Sequence, residues 1–268
     1  LCRTVRDSAA TLDVIAGTMP GDPYGAPAWP GTLAEEVGAD PGRLRIGFLT
    51  EHPRHPGGTV PADPDLVAAV TGAAGLLEAL GHDVEPGGPE ALAEEDFALH
   101  FGTVVAVHVA ADLEDIGRWR GKPVELDELE TRNRILGATG RGLGAVEYVA
   151  SRDWIDGFRR RMATWWESYD LLLTPSLGVA PFPLGWLPAD DVSMARGRTN
   201  QAVAFSSPIN ATGQPAISLP LHRTATGLPV GVQLVAAAGR EDLLIRIASQ
   251  IEAAHPFRHT AIRHAPPR

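Results

Sequence analysis

The sequence predicts an α/β fold, a sheet covered by helices. Two observations carry this. Residues 170–174, Asp170-Leu171-Leu172-Leu173-Thr174, hold an unalternating apolar run, the pattern of a strand covered on both faces. Residues 45–49, 63–80 and 82–85 read in succession as strand, helix and strand, the unit from which α/β sheets are built.

Each element follows from local pattern. Val5, Ala9, Leu12 and Ile15-Ala16 recur at helical spacing, with Gly17 where a cap would stand, so residues 4–16 read as an amphipathic helix. Residues 20–42 are rich in Pro and Gly and read as an irregular surface crossing. Arg45-Ile46-Gly47-Phe48-Leu49 is a short apolar strand, followed by a loop over residues 50–62. Asp63-Pro64 is a helix start, a carboxylate cap before proline at the first helical position. Leu66, Val67, Val70, Ala74, Leu77 and Leu80 form the buried stripe of that helix, and Gly81 ends it.

Residues 97–119 are mostly helical, with a strongly apolar segment over 104–111. Residues 125–136 read as a charged amphipathic helix. Residues 145–169 read as one long helix with the stripe Trp154, Phe158, Met162 and Trp165, and with Trp166 half exposed beside it. Asn210-Ala211-Thr212-Gly213-Gln214-Pro215 reads as a polar turn feeding a strand over 216–219, closed by Pro220. A further strand over 230–235 and a helix over 242–254 complete the pattern.

Bulk properties narrow the function. The chain has 268 residues, enough for one large domain or two small ones. A net charge of −10 argues against a nucleic-acid surface, which needs a basic stripe. One cysteine, Cys2, rules out an internal disulfide. No apolar run approaches the ~20 residues of a membrane span. No secretory signal is visible, so the cytoplasm is the expected compartment.

Several features mimic sites. Residues 135–144, ILGATGRGLG, resemble a phosphate-binding glycine loop. Such a loop needs a strand before it, and a charged helix precedes this one, so a flexible helix–helix connection is the expectation. His52 and His55 lie in a Pro/Gly loop, and His255, His259 and His264 lie near the C-terminus. Metal ligands sit on structured elements with supporting partners, so no metal site is expected. His100 and His108 read as ordinary helix residues.

Several segments together resemble the amidase signature family. They are LCRTVRDSAATLDVIA (residues 1–16), Gly21-Asp22-Pro23, residues 44–50 with 61–84 ending in LLEALGHDV, YDLLLTP (169–175), PINATGQPAISLP (208–220) and residues 227–243. The match runs in order through nearly the whole chain. The wording up to Leu49 is most similar to actinobacterial amidases, including those that open cyclic amide dimers.

The resemblance implies a three-layer α/β/α domain on a mixed sheet. It also implies amide hydrolysis by a serine nucleophile, a second serine in a cis peptide, a lysine base and a glycine-rich oxyanion loop, with no cofactor. A lysine acts as base only when burial or nearby charge lowers its pKa. Neither the lysine strand nor a GGSSGGS-like stretch is present here. Lys122, the only lysine, lies in a turn between helices, and Ser206-Ser207 lacks a glycine loop. No catalytic role therefore transfers to any position. Residues 1–268 are expected to be the C-terminal portion of a single amidase domain, inactive alone, whose partners are a missing N-terminal half and a small amide substrate. The alternative is a non-catalytic binding or assembly module that pairs with a separate first half.

In the family, the segment before the TGQP turn lies beside the substrate cleft. Phe205, Ser206, Asn210 and Gln214 are thus candidate lining residues. Phe205 reads equally as core, and Asn210 and Thr212 as anchors of the turn backbone. Val105 is a candidate for the far wall, or belongs to the core of its helix.

Overall fold

A computed structural model of the chain describes residues 1–25, 29, 31–53, 63–188 and 191–257. Its elements are α1 (Val5–Ile15), β1 (Arg45–Phe48), α2 (Pro64–Ala79), β2 (Asp83–Pro86), α3 (Phe97–Arg120), α4 (Thr131–Gly142), α5 (Ala145–Ala163), β3 (Leu171–Pro175), α6 (Val192–Ala202), α7 (Ser206–Thr212), β4 (Ala216–Arg223), β5 (Pro229–Ala236) and α8 (Glu241–Ala254). The strands form one mixed sheet in the order β2-β1-β3-β5-β4. β1 is parallel to β2 and β3, and β5 runs antiparallel to β3 and β4.

All five residues of β3 are buried, and its three leucines divide between two cores. Leu171 and Leu173 join Val232, Leu234 and Ala236 of β5 against α2, α8 and Val5 of α1. Leu172 and Val235 face the other way, onto Phe158 and Met162 of α5, Phe97 of α3 and Ile209 of α7. Helices thus cover both faces of the sheet, as the unalternating run predicts. The predicted start of α2 is seen directly: the Asp63 carboxylate accepts from the Asp65 N–H, with Pro64 opening the helix.

Other expectations need correction. The helix predicted over 125–136 begins at Thr131 and runs on through Gly142, so the glycine-rich stretch is helical and is no flexible connection. Packing explains it. A Cβ at Gly140 would lie 2.0 Å from the Ala106 carbonyl oxygen of α3. Glycine here lets two helices touch backbone to backbone, a gain that outweighs its poor helix propensity. The long helix predicted to Tyr169 stops at Ala163. A 3-10 turn, Thr164–Glu167, then swings Trp165 onto Tyr169 at the sheet edge, with ring centroids 3.8 Å apart. Trp166 takes its place against the Phe158 core.

The polar turn is also revised. Residues 210–212 belong to α7, and Gly213 caps it with φ 75°. β4 does not close at Pro220 but continues to Arg223, with an irregularity between Leu219 and His222. α3 is long and apolar enough, by length and composition only, to cross a membrane; its Ala106, Ala110, Leu113 and Gly117 are nevertheless buried in this fold. Residues 54–62 of the predicted loop lie outside the described residues, as do His55, His259 and His264.

Two predictions follow from this packing. Gly140→Ala should destabilise the fold by about 1–3 kcal/mol, because the Ala106 backbone cannot move aside. Gly142→Ala, with nothing within 4 Å of its new methyl, should be neutral or mildly stabilising in the same urea titration. In α7, buried Thr212 donates to the Pro208 carbonyl at 3.0 Å, whereas Asn210 is exposed. Thr212→Val should therefore cost about 1 kcal/mol. Asn210→Ala should stay within about 0.5 kcal/mol in matched thermal melts.

Candidate functional site

β1 and β3 are parallel neighbours, so their carboxyl ends emerge together. In α/β sheets, crevices at such ends are where ligands bind. Beyond β1, the Leu49 N–H donates to the Leu173 carbonyl at 3.0 Å. Beyond β3, the Ser176 N–H donates to the Gly231 carbonyl at 3.0 Å and the Gly178 N–H to the Ala202 carbonyl at 2.9 Å. The last of these bonds holds the end of α6 beside the end of β3. α6 itself starts at Asp191, whose carboxylate accepts from the Met194 N–H at 2.9 Å.

The α6–α7 junction places most of the candidate residues. Phe205 is 4% exposed and packs with Ala204 and half-buried Leu49. Its burial supports the core alternative more directly than a pocket. Ser206 is half-buried, and its hydroxyl donates to the Val203 carbonyl at 3.3 Å. Asn210 forms no side-chain hydrogen bond among the described residues, so the anchoring of the turn falls to Thr212. The Thr212 hydroxyl also reaches half-buried Gln214. The structure thus gathers Phe205, Ser206, Asn210 and Gln214 on one short helix and its cap. Val105 stands apart, half-buried on α3, whose principal neighbours are α4 and α5.

One residue set aside in the sequence comes into view. His52 is 3% exposed, and its ring meets Phe205 edge-on, with centroids 5.4 Å apart. Its place just past β1, at a strand's carboxyl end, is the signal that could have found it. His100 and His108 are helix residues of α3; His100 stacks on Trp154 at 4.7 Å and bonds Ser151 at 3.1 Å. Among the described residues, no group of three or more His, Cys, Asp or Glu could hold a metal ion.

The side chains of Phe205, Ser206, Asn210 and Gln214 carry no charge of their own, and a cation stands beside the cap of α7: Arg159 Nη2 lies 3.4 Å from where a Cβ on Gly213 would be. Lys122 lies far along the chain, just past the αL cap of α3, and is 66% exposed with its ammonium 3.9 Å from Glu128. The Arg120 guanidinium pulls that carboxyl down to about 2. Lys122 is thus an exposed surface cation in a turn between helices.

Comparison with known proteins agrees with this architecture. The family model described as Amidase matches residues 1–245. The 6-aminohexanoate-cyclic-dimer hydrolase of Paenarthrobacter ureafaciens is 38% identical over 263 residues, covering 95% of this chain and 53% of that protein. The putative amidase AmiC of Mycobacterium tuberculosis (strain ATCC 25618 / H37Rv) is 36% identical over 228 residues, covering 84% of this chain and 45% of that one. The solved structure of 6-aminohexanoate cyclic dimer hydrolase superposes with a TM-score of 0.87 at 36% identity, over 96% of this chain and 54% of that chain. A bacterial aryl acylamidase of the amidase signature family shares the fold at a TM-score of 0.79 and 17% identity, over 95% of this chain and 52% of that chain. The chain spans about half the length of the curated relatives it matches. The family match over residues 1–245, the similarity to a cyclic-dimer hydrolase and the shared two-sided sheet establish that this chain belongs to the amidase signature family.

Proposed function

We propose that this chain supplies one wall of the active site of a serine-dependent amide hydrolase acting on linear or cyclic aliphatic amides in the cytoplasm. The observation that carries the reading is the 38% identity with a cyclic-dimer hydrolase, sustained over 95% of the chain. The match takes in only 53% of that relative. The serine, cis-serine and lysine that the family resemblance implies have no counterpart in this sequence. In the complete enzyme a serine Oγ attacks the amide carbonyl while the base takes its proton. The C–N bond then breaks, the amine leaves with that proton, and water releases the acid from the acyl-enzyme. Backbone N–H groups hold the oxyanion through both steps. The present residues contribute the sheet, its helical cover and a wall at the α6–α7 junction.

A second reading is an assembly module that pairs with a separately encoded half. The eight-residue β4 favours it, because its outer edge is unpaired among the described residues and is available for strand addition.

Two preparations separate these readings. The purified 268-residue chain should hydrolyse neither aryl nor aliphatic amides. A chain extended by the coding sequence upstream of Leu1 should turn them over, and a serine-directed reagent should abolish that turnover. Reagent-sensitive hydrolysis by the short chain would sink the division of labour. A stable complex of the short chain with a separate half, still without turnover, would favour the assembly module.

A further inference from the structure

One face of the sheet changes character along its length. At the α5 end it is apolar, with Leu172 and Val235 under Phe158 and Met162. Toward the carboxyl end of β3 it turns polar. In one cross-strand row Thr174 pairs with Gln233, and Gln233 with Ser218. Buried Thr174 is satisfied internally: its hydroxyl accepts from the Gln233 amide at 3.3 Å and donates to the Pro175 carbonyl at 3.0 Å.

The next polar pair is different. The Ser176 and Ser218 hydroxyls lie 2.6 Å apart and are each other's only side-chain partner among the described residues. Ser218 is exposed and Ser176 half-buried. They meet over Gly231, where an added Cβ would stand 2.8 Å from each hydroxyl oxygen, so the missing side chain is what makes their seat. The pair has two O–H groups and spends one internally. One O–H and several lone pairs remain for a ligand.

We propose that Ser176 and Ser218 form a seat for a neutral carboxamide, a substrate-positioning site of the amidase. This rests on the amidase reading above. A carboxamide has the matching pair of groups: its carbonyl accepts the free O–H, and its N–H donates to the neighbouring hydroxyl. A carboxylate only accepts and calls for a cation, and neither serine has a cationic partner among the described residues. The apolar part of the ligand has surface next to the pair. Leu177 follows Ser176 directly, and Phe182 and Leu184 on the same loop are also exposed. That loop is held in shape by the Phe182–Trp186 stack at 4.4 Å and by Arg198 lying 5.2 Å over Trp186. The ligand class is therefore an aliphatic amide, its polar end on the serines and its chain along the loop.

Titration calorimetry of the full chain with hexanamide and with hexanoate tests this. Hexanamide should bind, and hexanoate about tenfold more weakly. Ser176→Ala/Ser218→Ala removes both hydroxyls and should lower hexanamide affinity about tenfold, the worth of two neutral hydrogen bonds. Should the double variant lose its cooperative melt, Ser218→Ala alone carries the comparison, since Ser218 is exposed on an edge strand; a loss of about threefold is expected. Variant affinity equal to wild type, hexanoate bound as tightly as hexanamide, or no hexanamide binding at all would each overturn the seat. The amidase reading fails separately. Serine-dependent hexanamide binding in an upstream-extended protein that turns over no amide would sink the amidase and leave the seat standing.

Discussion

Everything in this molecule is arranged around a strand with no free side. β3 has a partner on each edge, β1 and β5, and a hydrophobic core on each face. Its three leucines are essentially inaccessible, and burying each stabilises the fold by about 1.5–3 kcal/mol. A strand of this kind cannot exist without helices above and below it. α2 and α8 cover one face, α5 and α7 the other, and their amphipathic patterns are the price of that cover. The same strand locates the site, because its carboxyl end is where the apolar run stops and the chain must leave the sheet.

What leaves the sheet there is held by backbone more than by side chains. Ser176 bonds across to β5, Gly178 to the end of α6, and Leu49 back to β3. The junction of α6 and α7 is thus fixed against two strand ends. Thr212 and Gly213 then turn the chain from α7 into β4, the one by bonding back to the Pro208 carbonyl, the other by taking φ 75°. The segment that reads as a polar turn is a helical turn with its cap, and its buried hydroxyl serves the backbone.

The sequence revealed elements whose cause is local. The Asp63-Pro64 start of α2 and the apolar run of β3 needed no knowledge of neighbours. It concealed elements whose cause lies elsewhere in the chain. Gly140 looks like a breaker until Ala106 is seen pressed against it. Trp165 and Trp166 exchange roles because a 3-10 turn, rather than one more helical turn, closes α5. α6 and α7 carry no strong apolar stripe, and they are held chiefly by other helices, α7 against α5 and α6 against α4. Of the candidate site, Phe205, Ser206, Asn210 and Gln214 enter through the family resemblance alone. The Ser176–Ser218 pair and the contact of His52 with Phe205 do not, because each joins residues distant in sequence that meet only in the folded chain.

The chemistry proposed for this chain sets a condition on the groups around its base. A lysine can take a proton from serine only when its own pKa is brought down toward neutrality. An unpaired carboxylate within about 4–6 Å would do the opposite, since an opposite charge favours the ammonium form. Ser176, Phe205, Ser206 and Ser218 carry no charge of their own, and the charged group seen beside the cap of α7 is a cation, with Arg159 Nη2 3.4 Å from where a Cβ on Gly213 would lie. Hydroxyls satisfy polar groups without adding charge, and apolar side chains exclude the water that would stabilise an ammonium. In the proposed enzyme, such a wall would serve the reaction by bringing no carboxylate of its own to the place where a lysine must stay neutral.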